Sequence, residues 1–135
     1  MAAEQGFSTF GPDGEDLGDS LAPPLDFAGC VEMLGGDRAM VLGLLKEFLL
    51  NLDQQIKIIA VALATADCGG IRGAAHFIKG GAAVLSAHPL MGAAAVLEEI
   101  GLAGDLTGGA EGLLRLELEV ARLRRYWRIL VTGST

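Results

Sequence analysis

Cysteine is scarce in this chain. Cys30 and Cys68 form neither a C-x-x-C pair nor a framework of bridges, so the fold is not expected to rely on disulfides and suits a reducing compartment. Both read as small buried residues. A metal site from Cys68, His76 and His88 has gaps of 8 and 12 residues, which match no zinc spacing. No run of about 18 apolar residues is present to span a bilayer. The N-terminal stretch MAAEQGFSTFGPDGEDLGDSLAPP has no basic segment leading into an apolar one, so no secretory signal is read there. A soluble, cytoplasmic protein without a membrane partner is the expectation.

Positive charge is also in short supply, with 10 Lys and Arg against 17 Asp and Glu. Of the net charge of −7, Glu4, Asp13, Glu15, Asp16 and Asp19 carry five units within residues 1–24, which leaves −2 for the rest. Such a balance lacks the clustered cationic surface that phosphate backbones require, so nucleic acid is excluded as the expected partner. The one basic cluster, Arg122, Arg124, Arg125 and Arg128, follows Glu111, Glu117 and Glu119 and reads as charge complementing a helix dipole on a solvated face. ATP-binding motifs are missing too: there is no Gly-Lys dipeptide for a P-loop and no G-x-G-x-x-G.

Strand alternation and Asn-Gly or Asp-Gly hairpin signals are absent between Leu25 and Leu130, whereas helical 3-and-4 spacing recurs. Residues 1–24 mix Gly, Pro, Ser and acids without apolar periodicity and read as a disordered acidic tail or linker. The domain is expected over 25–130, with 131–135 a disordered end.

A short helix from about Asp26 to Leu34 stops at Gly35-Gly36, and Asp37 caps a long second helix to about Ala66. Along it Val41, Leu45, Phe48, Leu52, Ile56, Ile59 and Leu63 form one apolar stripe. Asp67 caps a third helix reaching about Ala87, and Pro89 opens a fourth to about Ile100. Thr107 is the expected cap of the last, whose stripe is Leu113, Leu116, Val120, Leu123, Trp127 and Leu130. The expected fold is all-α, an up-and-down antiparallel four-helix bundle with a short additional N-terminal helix.

The third helix carries GAAHFIKGGAAVL, residues 73–85. On a wheel of about 100° per residue, Ile71, Ala75, Ile78, Ala82 and Leu85 gather into one core stripe, and His76 points about 140° away from it. Around His76 stand Gly73, Gly80, Ala83 and Ala87, all small, with Arg72 and Lys79 one turn before and after. Glycines in a helix cost about 1 kcal/mol each relative to alanine, so a packing or functional reason is expected for Gly73, Gly80 and Gly81. Either another protein approaches this face, or it packs against a helix of the same bundle. Two cations beside an exposed nucleophile suit phosphoryl transfer, which needs stabilised negative charge.

The run AHFIKGGAAVLSA, residues 75–87, resembles the motif of histidine-containing phosphotransfer (HPt) domains, and LDFAGCVEMLGGDRAMVLGLLKEFL, residues 25–49, resembles the N-terminal part of bacterial members. The resemblance implies that His76 accepts a phosphoryl group from a receiver-domain aspartyl-phosphate and relays it to another receiver aspartate. It implies that Lys79 steadies the phosphoryl oxygens, Gly80 keeps the approach open and Arg72 lends charge. No intrinsic cofactor is implied; magnesium is expected from the receiver. Ser86 departs from the family, which often has glycine there. Gly73, Ala83, Ala87, Leu42 and Leu49 are the expected partner-binding residues, with Met33 a further candidate, and spare core positions are an equal reading of Leu42, Leu49 and Met33; His88, before Pro89, reads as a turn or capping residue. Two other readings stay open: a phosphoacceptor module of a larger hybrid or chemotaxis-type kinase, and a helical adaptor whose histidine is never modified. A monomer is expected, so that His76 remains accessible.

Overall fold

The computed structural model describes residues 22–133. The tail expected over 1–24 lies outside them except for its last three residues, as do residues 134–135. Five helices follow one another among the described residues: α1 Phe27–Met33, α2 Arg38–Ala64, α3 Cys68–Val84, α4 His88–Ala103 and α5 Gly109–Thr132. No strand occurs among the described residues.

Three aspartates start three of these helices. Asp26, Asp37 and Asp67 accept from the backbone N–H of Gly29, Met40 and Gly70 at 3.1, 3.0 and 2.9 Å. Each satisfies a donor that the first turn cannot pair internally, a contribution of about 1 kcal/mol. Short connections make successive long helices antiparallel neighbours. α3 packs on α2 and α4, and α5 closes the ring against α4 and α2, so the long helices form a four-membered bundle.

The stripes meet in one core: Val41, Leu45, Phe48, Leu52 and Ile59 of α2 face Ile71, Ala75, Ile78 and Ala82 of α3, with Leu97, Leu116, Val120 and Leu123 completing it. Ile56, Leu63, Leu113, Trp127 and Leu130 are half-buried at its margin. The short α1 closes one end. Leu25, Phe27 and Cys30 are buried there, and the Asp26 N–H donates to the Ser86 carbonyl at 3.1 Å. Cys68, expected to be buried, is half-buried at the start of α3.

Several boundaries differ from expectation for local backbone reasons. α2 ends at Ala64 because Ala66 adopts φ 54°, and α3 ends at Val84 because Ser86 adopts φ 59°, both left-handed. His88 is the first residue of α4, Pro89 the second, and Ala87 the N-cap. Thr107 does not cap α5: its N–H donates to Asp105 Oδ1 at 3.0 Å, and Gly108 at φ 86° takes the cap position. α5 continues through Val131 and Thr132, which the sequence placed in a disordered end, and stops at Gly133 with φ 71°.

The arginine cluster is also not simply a solvated face. Arg124 crosses to α2, donating to Asp53 Oδ1 at 2.8 Å and to the Leu49 carbonyl at 3.2 Å. Arg122 donates to Glu119 Oε1 at 2.7 Å and to the carbonyl of Ala22. The buried Glu119 also pairs with Arg115 at 3.7 Å.

Candidate functional site

The phase of α3 decides where its side chains go. Ile71, Ala75, Ile78, Ala82 and Leu85 are all buried, and the His76 side chain, on the other side, is 69% exposed. Gly73, Gly80 and Ala83 lie on the exposed face with it. A Cβ added at Gly73 or Gly80 would meet nothing within 4 Å, so packing inside the bundle does not require either glycine. Gly81 is a different case. Its Cβ would stand 2.4 Å from the Phe48 ring, so this glycine exists to seat a core aromatic of α2.

α3 and α4 approach each other closely because small residues line both sides. Ala74, Ala75 and Ala82 are buried on α3, and Ala93, Ala94 and Gly101 on α4. At Gly101 the contact is backbone to backbone: a Cβ there would fall 2.8 Å from both the Arg72 nitrogen and the Cys68 carbonyl oxygen. That approach carries Glu98, one turn before Gly101, up against the exposed edge of α3.

Glu98 joins the two residues that sequence singled out for chemistry. Its Oε2 stands 2.7 Å from His76 Nδ1 and its Oε1 2.5 Å from Lys79 Nζ. The carboxylate is only 14% exposed, while Lys79 is 37% exposed. The Lys79 ammonium, and then the His76 ring, hold Glu98 below the usual carboxylate range. An ionised carboxylate only accepts hydrogen bonds, so the neutral imidazole carries its proton on Nδ1 and donates it to Glu98. The lone pair is then on Nε2, which has no hydrogen-bond partner among the described residues. The result is a nucleophilic nitrogen on an exposed side chain.

The sequence reading missed Glu98. Its signal is weak because α4 reads as an apolar helix in which Glu98-Glu99 look like ordinary solvated charges. Yet His76 and Glu98 stand nearly equidistant from the turn at Ser86-Ala87, and in an antiparallel hairpin such positions come level.

No curated protein sequence matches the chain. The Hpt domain family model matches residues 43–126, more than half of it. The chain belongs to the Hpt domain family. Among solved structures it is similar to histidine-containing phosphotransfer protein B (HptB) from Pseudomonas aeruginosa PAO1, with 28% sequence identity and a TM-score of 0.70 over 79% of this chain and 93% of that one. The bundle is thus that of an Hpt domain, a module of histidine phosphotransfer in phosphorelays.

Within this Hpt bundle the remaining expected site residues separate. Arg72 is exposed and makes no ion pair among the described residues. Ala87 is fully buried as the N-cap of α4 and does not reach the His76 face. Leu49 is buried too, because its position on α2 faces the core, and Leu42 is half-buried against that core. Met33, at the end of α1, is 71% exposed. The apolar surface that α3 itself offers is Phe77 and Val84, about half exposed and two turns apart on either side of Gly80. His88 is exposed at the start of α4, where its ring makes no hydrogen bond or ion pair among the described residues.

Proposed function

We propose that His76 is the phosphoacceptor of a phosphorelay carrier that exchanges phosphoryl groups with receiver-domain aspartates. The observation that carries this reading is the Glu98 hydrogen bond to Nδ1, which leaves an exposed Nε2 lone pair. Nε2 attacks the phosphorus of a receiver's aspartyl-phosphate, an N–P bond forms, and the P–O bond to the aspartate breaks with its electron pair going to the carboxylate. The imidazole becomes cationic as it gains the phosphoryl group, and Glu98 at Nδ1–H stabilises that developing charge. Transfer onward is the same step in reverse on a second receiver.

Lys79, held beside the ring by Glu98, retains two further N–H donors for phosphoryl oxygens. Arg72 adds positive potential from the preceding turn. Gly80 and Gly73 leave room for the partner's phosphorylated loop, and Phe77, Ala83 and Val84 supply contact around it. Magnesium is brought by the receiver, whose aspartyl-phosphate it binds; this chain needs to supply no ligand to it.

A helical adaptor with an inert histidine is the competing reading, and the exposure of His76 counts against it. A place within a larger kinase would change the donor, not the acceptor atom. The test is to incubate the chain with phosphorylated receiver domains and follow the label, with His76→Gln alongside. Acid-labile, base-stable label that disappears in the variant supports the assignment, and equal labelling of the variant overturns it.

A further inference from the structure

On another face of the bundle, α4 and α5 enclose an open groove of about 840 Å³. Its walls are mostly apolar: Val96, Ile100, Leu114 and Leu118 line it, and Val96, Leu114 and Leu118 are each more than half exposed. Val96 sits two residues before Glu98, so the groove faces away from the α3–α4 edge that carries His76. Apolar side chains grouped this way on a domain surface call for a cover.

The chain itself leads into this groove. Ala22 and Pro23 line its mouth. Ala22 is fixed there, since its carbonyl accepts from Arg122, one turn along α5 from Leu118, and Arg122 is in turn held by Glu119. Everything N-terminal to Ala22 therefore starts at one end of the groove. From Leu118 to Gly108, its other end on α5, is about 15 Å at the helical rise.

Residues 1–21 carry Phe7, Phe10, Leu17 and Leu21 among polar and acidic neighbours. A coil running the twelve steps from Phe10 to Ala22 has a root-mean-square span of about 20 Å, so both phenylalanines fall within reach of the groove's length. Tethering also gives them an effective concentration of the order of millimolar, which lets even weak apolar contacts win over a free partner.

We infer that the α4–α5 groove is the docking site of this chain's own N-terminal segment, with Phe7 and Phe10 seated against Val96, Leu114 and Leu118. The inference does not depend on the role of His76, because the two faces are separate. Docking covers the apolar walls and leaves the α3 face open.

The test uses the full 135-residue chain at dilute concentration, with methyl NMR of Val96, Leu114 and Leu118 and the double variant Phe7→Ser, Phe10→Ser. The expected result is ring-to-methyl NOEs in the parent chain, with the three methyls shifting downfield in the variant as the aromatic ring currents are lost. Binding of the apolar dye ANS should rise in the variant at unchanged helical content. Unshifted methyls and unchanged dye binding would overturn the inference. Methyl shifts that appear only on concentration, with a dimer in sedimentation, would also overturn it by making a second copy the occupant.

Discussion

His76 and Glu98 lie 22 residues apart in sequence and on different helices, yet the imidazole Nδ1 and the carboxylate Oε2 are 2.7 Å apart. This pairing orients the ring, sets its tautomer and keeps Lys79 alongside. Removing it by Glu98→Ala should slow phosphoryl transfer by about 10-fold or more, the scale seen when a group that orients a functional histidine is lost. Long-range ¹H–¹⁵N NMR of His76 should show Nδ1–H in the parent and a predominantly Nε2–H ring in the variant. An unchanged tautomer with an unchanged rate would remove Glu98 from the mechanism.

The close α3–α4 contact at Gly101 makes a second prediction. Gly101→Val should cost about 1–3 kcal/mol as the helices are forced apart, and it should also lengthen the Glu98 contacts and slow transfer. Gly73→Ala and Gly80→Ala should do the opposite to stability, each adding about 1 kcal/mol, because their Cβ atoms enter open space in a helix. A bulkier Gly80→Gln should keep the fold while slowing transfer to receivers. Urea titrations beside transfer rates check all four.

Among the described residues, two hold left-handed backbone without being glycine, Ser86 at φ 59° and Ala66 at φ 54°. Ser86→Gly and Ala66→Gly should each stabilise the protein by up to about 1 kcal/mol, since relief of the left-handed cost exceeds the added entropy of the unfolded chain. Ser86 is thus a local cost at the α3–α4 turn. Gly108→Ala, at φ 86°, should destabilise instead. Thermal midpoints of the three variants give the signs directly.

Acid should weaken the site's contribution to stability. Glu98 has a folded pKa below its unfolded value of about 4.3, so the unfolded chain takes up its proton first. The stabilisation is therefore fully present above that value and is lost as pH falls through the folded pKa. The stability difference between the parent and Glu98→Gln should shrink as pH falls below about 4.3 and through the lowered folded pKa of Glu98. A difference that stays constant down to pH 3 would show that the ion-paired carboxylate contributes nothing.

Much of this arrangement is local and therefore legible in sequence. The caps at Asp26, Asp37 and Asp67 depend on a few adjacent residues, and the stripe from Ile71 to Leu85 sets the exposure of His76 by helical phase alone. What escaped reading depends on how helices meet. Glu98 becomes a partner of His76 only once α3 and α4 are in register, and Gly101 has meaning only at their crossing. Arg122 and Arg124 look like solvated charges until Ala22, Leu49 and Asp53 are brought beside them. Ala87 leaves the His76 face for a simpler reason: α3 ends at Val84, so its helical phase does not extend that far.

The most direct measurement is to map the phosphoryl group on the full chain after transfer from a phosphorylated receiver domain, by ³¹P and ¹⁵N NMR with mass spectrometry of the intact linkage. A single phosphohistidine at His76, bonded through Nε2 with Nδ1–H still paired to Glu98, is the predicted result. A phosphoryl group on His88, or one attached to His76 through Nδ1, would contradict the account.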